Sequence, residues 1–489
     1  MKSKKAIIVG AGIGGLATAI RLRHKGFEVS VFEASYKAGG KLNQMEEKGY
    51  RFDMGPSLFT LPQELDAIFS FVGKNPRDYY EYEKLELITK YFYEDGTQID
   101  AWAEPHRFAA EIEDKTKESK EKALKVLKKS EEIYDITAHV FLERSLHKLS
   151  TYLRKDTLIS ILNLHRIDSM RSMHKANAHQ FKDPRVVQLF DRYATYNGSN
   201  PYEAPATLRI IPHLEFNIGA YFPKKGIYSI PSALYQLAKD IGVNFHFGKK
   251  VEEILVSEGK AQGIKIAGED YPAEVVVSNM DVVPTYRKLL SHQKAPEKIL
   301  SQPRSSSALI FYWGIKASFP QLDLHNIFFS EDYQEEFRQI WEEKGIYHDP
   351  TIYVHISSKC EAEDAPQGCE NWFVMINVPA NQGQDWESLI VNARARILSK
   401  LSRMLKQDIE PLIEFEDKLT PELIESRTSS YQGALYGNSS NNKFAAFLRH
   451  PNFHRKIKGL YFVGGSVHPG GGIPLCLLSA RIVGDLVGG

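Results

Sequence analysis

The hydrophobic pattern at the start of the chain predicts a strand, a helix and a second strand in close succession. Residues 6–9 form a short apolar run, and a glycine-rich turn follows it. Leu16 and Ile20 then recur at helical spacing, and residues 29–32 form a second apolar run that ends before Glu33. This order of periodicities is typical of a βαβ unit.

Strand and helix patterns return in the second half of the chain. Aromatic-rich strands fill much of residues 306–378, a helix follows through about Leu405, and a last helix begins near Leu475. Short strands are also predicted at these residues: 243–247, 251–255, 263–266, 274–277 and 460–463.

Two segments are distinguished by their charge. Residues 111–132 interleave Glu and Lys at three- and four-residue spacing, which predicts a solvated surface helix. In residues 146–173, apolar side chains recur at helical spacing among Lys148, Arg154 and Lys155. A basic amphipathic stretch of this kind suits a membrane interface, and it equally suits a pair of helices that covers the protein's own core.

Composition limits the class of protein. A chain of 489 residues is long enough for two or three domains. Its net charge of +1 lacks the basic excess of nucleic-acid-binding proteins, so no nucleic acid partner is expected. The three cysteines form no C-x-x-C pair, which favours a reducing compartment and no metal site. No apolar run approaches the ~20 residues of a membrane-spanning helix.

Gly10, Gly12 and Gly15 form a G-x-G-x-x-G motif between the first strand and the first helix. Gly10 permits the tight turn, Gly12 lets a pyrophosphate approach the backbone, and Gly15 lets the helix pack closely on the strand. The helix N-terminus directs unpaired N–H groups at the phosphates. Glu33, at the end of the second strand, suits the ribose hydroxyls. The motif predicts a dinucleotide site and does not distinguish NAD from FAD.

Further glycines favour FAD. Gly39-Gly40-Lys41 follows Glu33, and a second glycine loop lies near the other end of the chain. Together they resemble the extended FAD fingerprint of the amine-oxidase-like flavoprotein superfamily, although Lys41 replaces the usual arginine and lacks its bidentate fork. The resemblance implies cofactor-binding roles for the following residues: Gly10, Gly12, Ile13, Gly14, Gly15, Glu33, Ala34, Gly39, Gly40, Lys41, Gly55, Pro56, Ser57, Val251, Asn279, Asp281, Gly464, Gly465, Gly472, Ile473 and Pro474.

Longer segments resemble bacterial carotenoid desaturases of the phytoene desaturase family. Residues 459–474 are similar to that family's C-terminal signature, from which Val467 and Gly471 depart. Residues 58–60 resemble 1-hydroxycarotenoid 3,4-desaturases more than phytoene desaturases. Other segments that are similar to family motifs are 52–57, 192–206, 221–228 and 278–283.

This resemblance implies an α/β fold with a Rossmann-type FAD-binding domain that is assembled from separated segments. Those segments are expected at residues 1–75, 225–285 and 436–489. An inserted α+β substrate domain is expected over residues 286–435. Residues 76–224 are expected to form a substrate region that is helical and faces a membrane.

The activity that the resemblance implies is introduction of a C=C bond into an acyclic carotenoid, with hydride transfer to the flavin of FAD. The expected reaction is 1-hydroxycarotenoid 3,4-desaturation, with phytoene desaturation as the alternative. Oxygen or a quinone is the expected electron acceptor. A protein that takes a lipophilic carotenoid from a bilayer is expected in the cytoplasm, peripherally associated with the inner face of the cell membrane.

The sequence leaves the catalytic residues unknown. A cation beside a polyene is delocalised, so a strong base is not required to start the reaction. Each titratable residue near the family motifs is also explained as part of a structural ion pair or hydrogen bond. The candidates for catalytic groups are Asp191, Arg192, Glu203, Arg209, Glu215 and His468.

Other proteins share the expected architecture. A carotenoid isomerase, an amine oxidase or a protoporphyrinogen oxidase would keep the flavin and change the reaction. A protein resembling Rab GDP-dissociation inhibitors would bind a prenyl chain without catalysis. The intact glycines and Glu33 argue against such a binding protein, because it needs no flavin site.

Overall fold

The elements of the fold, numbered in chain order, come from a computed structural model that describes residues 4–442 and 445–488. The strands are β1 Lys5–Val9, β2 Glu28–Phe32, β3 Gln44–Glu47, β4 Tyr50–Asp53, β5 Phe59–Thr60, β6 Tyr82–Lys84, β7 Leu87–Phe92, β8 Gln98–Trp102, β9 Ala220–Pro223, β10 Asn244–His246, β11 Glu253–Ser257, β12 Lys260–Ile266, β13 Glu269–Pro272, β14 Val275–Ser278, β15 Ser307–Ile315, β16 His325–Phe328, β17 Ile352–Ile356, β18 Glu370–Val378, β19 Ile413–Leu419 and β20 Leu460–Phe462. The α-helices are α1 Ile13–His24, α2 Pro62–Phe71, α3 Pro105–Lys115, α4 Lys120–Phe141, α5 Leu149–Tyr152, α6 Lys155–Leu162, α7 Met173–Gln180, α8 Pro184–Asp191, α9 Ser229–Asp240, α10 Val282–Pro284, α11 Glu297–Leu300, α12 Tyr333–Arg338, α13 Trp386–Leu405, α14 Pro421–Thr428, α15 Ala445–Leu448 and α16 Ile473–Leu486.

A parallel five-stranded sheet has the order β10-β2-β1-β14-β20. Its strands come from distant parts of the chain, and the expected α/β fold is confirmed. On one face, Ile8 and Leu16 share a core with residues of α9 and α16. On the other face, Ile7 packs with Ile254 and Ile264 of the β11-β12-β13 sheet. Burial on both faces explains why the central strands β1 and β14 are largely apolar.

A seven-stranded sheet of order β19-β15-β18-β17-β16-β7-β8 forms the second layer of the fold. One of its faces carries Trp313 and Trp372, and the apolar side of α13 covers that face through residues such as Ile397. Side chains of a strand alternate between faces. The opposite face therefore carries the residues between these positions, among them Tyr312 and Phe373.

The charged residues 111–132 form parts of two helices, α3 and α4, and not the single solvated helix that their pattern predicts. The break is held by Glu118, whose buried carboxylate accepts hydrogen bonds from the backbone N–H groups of Lys182 and Asp183. Helix α4 also buries one face, with Val126 and Leu127 in a core cluster. The alternating charges are typical of the exposed side of these helices and do not indicate the buried side.

Residues 146–173 form short helices. Helices α5 and α6 are followed by a 3-10 turn at Leu164–Arg166. Across residues 4–442 and 445–488, no helix is long and apolar enough to cross a bilayer.

Replacement of Ile397 by alanine tests the packing of α13 on the sheet. Ile397 is fully buried, whereas Val391 of the same helix is 65% exposed. We expect Ile397→Ala to lower the free energy of unfolding by ~2–5 kcal/mol, because it leaves a cavity against the tryptophans. Val391→Ala, the matched control, should change it by no more than ~0.5 kcal/mol. Equal effects in chemical denaturation would contradict this arrangement.

Candidate functional site

The carboxyl ends of the parallel strands bring the predicted cofactor residues to one edge of the sheet. Gly10 follows β1, Glu33 follows β2, Asn279 follows β14, and Gly464 lies two residues beyond β20. The backbone N–H of Asn279 donates to the carbonyl oxygen of Val9 at 2.8 Å, which joins two of these ends directly. Ligands of open α/β sheets bind at this edge.

The glycines of the first turn are required by close contacts. An ideal Cβ atom on Gly15 would lie 2.1 Å from the carbonyl oxygen of Gly10. Cβ atoms on Gly12 and Gly14 would lie 2.6 and 2.7 Å from the carboxamide of Asn279. Side chains at these positions would force the turn apart, so the sequence motif corresponds to a real packing constraint.

Helix α1 begins in this turn, with Gly12 as its N-cap residue. Within the described residues, no side chain caps this N-terminus, and its first turn carries no acidic residue. The N–H groups of Ile13 and Gly14 lie in that first turn. An uncapped helix N-terminus with a positive dipole end suits an anion such as a pyrophosphate.

Glu33 is held by backbone hydrogen bonds. Its Oε2 atom accepts from the N–H of Ala11 at 2.7 Å, and its Oε1 atom accepts from the N–H of Ser35 at 2.8 Å. Each carboxylate oxygen retains a lone pair for a further donor. The carboxylate is therefore oriented and still able to accept hydrogen bonds from ribose hydroxyls, with the exposed Ala34 beside it.

The Gly39-Gly40 pair lies directly on the first turn. The N–H of Gly39 donates to the carbonyl oxygen of Ala11 at 2.9 Å, and Gly39 forms a parallel bridge with Gly12. An ideal Cβ atom on Gly40 would stand 3.2 Å from the Cα atom of Gly12. Both glycines have positive φ angles, of +130° and +62°, which other residues rarely adopt.

Lys41 is partly buried, and its ammonium contacts backbone carbonyls. Its Nζ atom donates to the carbonyl oxygens of Leu435 at 2.7 Å and Ala434 at 3.3 Å. Burial lowers the pKa of the Lys41 ammonium, and the nearby Asp281 carboxylate opposes that shift. The phosphate contact expected for Lys41 stays a prediction.

The remaining predicted residues of the second segment have structural partners. Asp281 Oδ1 accepts from the N–H of Val283, and its Oδ2 atom pairs with Arg304 at 2.6 Å. Val251 is buried in the core cluster that contains Val9. Neither observation tests the cofactor-binding roles that the resemblance implies.

The turn at Gly55-Pro56-Ser57 packs on the Gly39–Lys41 loop. An ideal Cβ atom on Gly55 would lie 2.2 Å from the carbonyl oxygen of Lys41. Pro56 is exposed, and the hydroxyl of Ser57 shares a hydrogen bond of 2.7 Å with the hydroxyl of Tyr353. The turn thus connects the dinucleotide site to the seven-stranded sheet.

The C-terminal glycine loop supplies a second helix N-terminus. Gly464 and Gly472 have φ angles of +107° and +106°, and Gly472 is the N-cap of α16, which starts at Ile473-Pro474. An ideal Cβ atom on Gly465 would stand 3.3 Å from another glycine of the loop. The loop approaches the first turn closely, since an ideal Cβ atom on Gly14 would stand 3.2 Å from the Cα atom of Gly464.

These features fit FAD. One helix N-terminus suits the pyrophosphate, the glycines leave a cradle that a Cβ atom would fill, and Glu33 suits the ribose. In the part of the chain that the structure describes, no group of three or more His, Cys, Asp or Glu side chains could hold a metal ion.

Arg192 lies inside a cage of tyrosines. It is 6% exposed, and its guanidinium donates to the hydroxyls of Tyr91 at 2.5 Å and Tyr196 at 3.2 Å. Glu215 lies 3.6 Å from Arg192 and accepts a hydrogen bond from Tyr193 at 2.8 Å. The carboxylate and the hydroxyls compensate a buried cation that would otherwise be costly.

Three other catalytic candidates lie outside this cage. Glu203 is exposed. Arg209 is buried, and burial lowers the pKa of its guanidinium. Asp191 is held by Asn177 at 2.8 Å and by His174 at 2.7 Å, and burial raises the pKa of its carboxyl. Their catalytic roles stay predictions.

His468 anchors the C-terminal glycine loop. Its Nε2 atom lies 2.7 Å from the carbonyl oxygen of Arg144, to which a protonated Nε2 donates. Burial lowers the pKa of His468 to about 3, so the imidazole is neutral near pH 7. These contacts favour its structural role over proton transfer.

Sequence reasoning missed a polar group on the seven-stranded sheet. Ring centroids of His325 and His355 lie 5.1 Å apart, and Nδ1 of His325 lies 2.7 Å from the hydroxyl of Tyr353. All three side chains are buried or nearly so. Polar residues at alternate positions of apolar strands were the available signal, but strand pairing was needed to bring them together.

Gly15→Ala tests the cofactor site. Because the new Cβ atom meets a backbone oxygen at 2.1 Å, we expect the turn to open and bound FAD per protein to fall at least about tenfold. The control is Gly345→Ala, whose Cβ atom would have only an ordinary contact at 3.7 Å. Flavin absorbance of the purified variants gives the measurement. Full FAD retention in Gly15→Ala would contradict this site.

Comparison with known proteins agrees with this geometry. The family model described as flavin containing amine oxidoreductase matches residues 13–487. The 1-hydroxycarotenoid 3,4-desaturase of Flavobacterium sp. (strain P99-3) is 52% identical over 484 residues, which cover 99% of each chain. The 4,4'-diapolycopene oxygenase of Methylomonas sp is 33% identical over 494 residues, with 99% of this chain and 98% of the relative covered.

A solved oxidoreductase from Methanosarcina mazei has the same fold, with a TM-score of 0.66 at 17% identity and coverage of 98% of this chain and 100% of the other. The expected resemblance to 1-hydroxycarotenoid 3,4-desaturases is confirmed by the first relative. The expected cofactor, FAD, is confirmed by the flavin family and the fitting site. The chain therefore belongs to the flavin-containing amine oxidoreductases.

Proposed function

We propose that this chain is an FAD-dependent desaturase that forms the 3,4 double bond of an acyclic 1-hydroxycarotenoid. The observation that carries the proposal is its 52% identity with an enzyme of that name over 99% of both chains. The intact cofactor site supports it, because the glycine cradle and Glu33 are what an active flavin enzyme requires. A protein that only binds prenyl chains has no need of them.

Bound FAD supplies the hydride acceptor of the reaction. The residues of this chain would hold that cofactor at the edge of the parallel sheet. The face of the seven-stranded sheet that lies away from α13, its inner face, provides a buried wall. Tyr353, His325 and Phe373 lie on the inner face of the seven-stranded sheet, and Ser57 links that face to the cofactor turn. Exclusion of water protects a developing allylic cation from side reactions.

The Arg192 cage lies against the same face of the seven-stranded sheet. Tyr91 belongs to the same sheet, and its hydroxyl receives a hydrogen bond from Arg192. Desolvation raises the pKa of Tyr193 and Tyr196, so these hydroxyls remain protonated and hydrogen-bond Glu215. The cage therefore offers fixed dipoles to the substrate region and no mobile charge.

Helices α5 and α6 form the proposed membrane-docking surface. Leu149 is 77% exposed and Leu162 76%, whereas ordinary surface helices bury such residues. The exposed cations Lys148, Arg154 and Lys155 flank them. Among the described side chains of this surface and of the segment that follows it, the exposed large apolar residues are Leu149, Leu153, Leu158, Ile159, Ile161, Leu162 and Met170.

Apolar side chains with flanking cations match the inner leaflet of a cell membrane, where acyl chains lie beneath anionic head groups. A carotenoid resides in that apolar layer, so docking here would let the substrate enter the protein without crossing water. A cytoplasmic protein bound to the inner face of the membrane fits this surface. Oxygen or a membrane quinone would then reoxidise the flavin.

Product analysis tests the activity. We expect the FAD-loaded protein to convert an acyclic 1-hydroxycarotenoid into a product that has two fewer hydrogens and absorbs at longer wavelength, because the conjugated system grows by one double bond. Mass spectrometry and absorption spectra give the measurement. A product of unchanged mass would indicate an isomerase, and a product that gains oxygen would indicate an oxygenase. Either product would overturn the desaturase proposal.

Charge reversal tests the membrane-docking surface. We expect the Lys148→Glu, Arg154→Glu, Lys155→Glu triple variant to lose at least about a hundredfold in partitioning to phosphatidylglycerol vesicles, since each surface cation contributes ~1 kcal/mol. The control reverses three exposed lysines of α4 that lie outside the surface: Lys120→Glu, Lys125→Glu and Lys128→Glu. Equal vesicle flotation of the two triple variants would contradict the assignment.

A further inference from the structure

Two buried histidines are direct neighbours on the inner face of the seven-stranded sheet. His325 of β16 and His355 of β17 are partners in the antiparallel register, and their ring centroids lie 5.1 Å apart. Each residue is 3% exposed. Partners in an antiparallel pair point to the same face, so both imidazoles lie on the inner face of the sheet, opposite the face that α13 covers.

Each imidazole has one nitrogen with an unmet hydrogen bond. Within the described residues, the Nε2 atoms of His325 and His355 are buried and have no partner. An unsatisfied polar atom in a protein interior costs free energy, and native structures rarely keep two together without a reason. The pair therefore indicates a polar ligand group on this otherwise aromatic face.

A hydrogen-bond chain fixes the orientation of His325. The hydroxyl of Tyr353 lies 2.7 Å from Nδ1 of His325 and 2.7 Å from the hydroxyl of Ser57. When Ser57 donates to Tyr353 and Tyr353 donates to Nδ1, the neutral ring carries its hydrogen on Nε2. The chain thus presents an N–H donor to the interior and connects it to the cofactor turn.

Both histidines are neutral near pH 7. Burial lowers the pKa of His355 to about 3, and the Arg51 cation acts in the same direction. Burial also lowers the pKa of His325, with contributions from His355 and Arg192. A neutral ring that resists protonation is a poor acceptor for a proton from carbon, but it remains an effective hydrogen-bonding group.

We propose that His325 and His355 bind the C1 hydroxyl of the substrate and so determine which carotenoids are desaturated. This inference rests on the proposed function. A hydroxyl group both donates and accepts, so one substrate oxygen can satisfy a donor on His325 and a nitrogen of His355. In this assignment Tyr353 and Ser57 are positioning residues, since they orient His325 and do not contact the hydroxyl.

The chemistry of the substrate places its hydroxyl near the cofactor. Only two C–C bonds separate C1 from C3, the nearer carbon of the bond that is oxidised. A group that holds the hydroxyl must therefore lie close to the flavin, and the Ser57–Tyr353–His325 chain begins at the cofactor turn. A carotenoid without the hydroxyl would leave the imidazoles unpaired, which is an effective basis for discrimination.

The test compares kcat/KM for two substrates: an acyclic 1-hydroxycarotenoid and the same carotenoid without its hydroxyl. We expect His325→Phe to lower the ratio of kcat/KM for the hydroxylated substrate to kcat/KM for the other substrate at least about tenfold. The reason is that it removes a hydrogen bond that only the hydroxylated substrate makes. His325→Gln keeps an amide near Nε2 and should restore part of the ratio. Tyr353→Phe should lower the ratio less than His325→Phe.

His292→Phe is the matched control, because His292 is exposed on the surface. It should leave the ratio unchanged. Flavin content of each variant shows whether it folds, and the His325→Gln and Tyr353→Phe variants decide the question where His325→Phe does not fold. An equal loss of kcat/KM for both substrates, or an unchanged ratio in all variants, would overturn the hydroxyl site. A wild-type protein that desaturates neither substrate would instead overturn the proposed function.

Discussion

Close contacts that leave no room for a side chain at Gly14 join three distant parts of the chain. An ideal Cβ atom on Gly14 would stand 2.7 Å from Oδ1 of Asn279 and 3.2 Å from the Cα atom of Gly464. Because β1, β14 and β20 belong to one parallel sheet, their carboxyl ends meet at the same edge and make this approach available. The site depends on it, since a wider gap would move the C-terminal glycine loop away from the N-terminus of α1.

The sequence predicts this part of the molecule well because its constraints are local. Gly12 and Gly15 are separated by three positions, and each is required by a contact that any side chain would destroy. Glu33 follows an apolar strand, and that strand must be parallel to β1 because a helix connects the two. A short segment therefore predicts both the strand-helix-strand order and the dinucleotide site. The resemblance to known families adds only the identity of the dinucleotide.

The cluster of His325, Tyr353 and His355 on the seven-stranded sheet could not be predicted from the sequence, for a physical reason. His325 and His355 are thirty positions apart, and they meet only because β16 and β17 pair in one register. Lys41 shows a similar limit, since nothing in the sequence indicates the hydrogen bond that its ammonium donates to the carbonyl oxygen of Leu435. Glu118 ends a helix through contacts with residues more than sixty positions away. Long-range partners of single side chains leave no local pattern.

The two faces of the seven-stranded sheet have different roles: the face under α13 stabilises the fold, and the inner face determines specificity. The face under α13 is mostly apolar, and its tryptophans and isoleucines stabilise the fold by burial. At one end of this face, Nε1 of Trp372 donates to the carboxylate of Glu370 at 2.8 Å. The inner face carries hydroxyls and imidazoles, and a polyene offers no group that would compensate a charge there. The charge of Arg192 is compensated by Glu215 and by the three tyrosines that surround it. His325 and His355 need no compensation, because burial keeps them neutral. Uncharged hydrogen-bonding groups can therefore select a substrate hydroxyl while the rest of the same wall remains compatible with hydrocarbon.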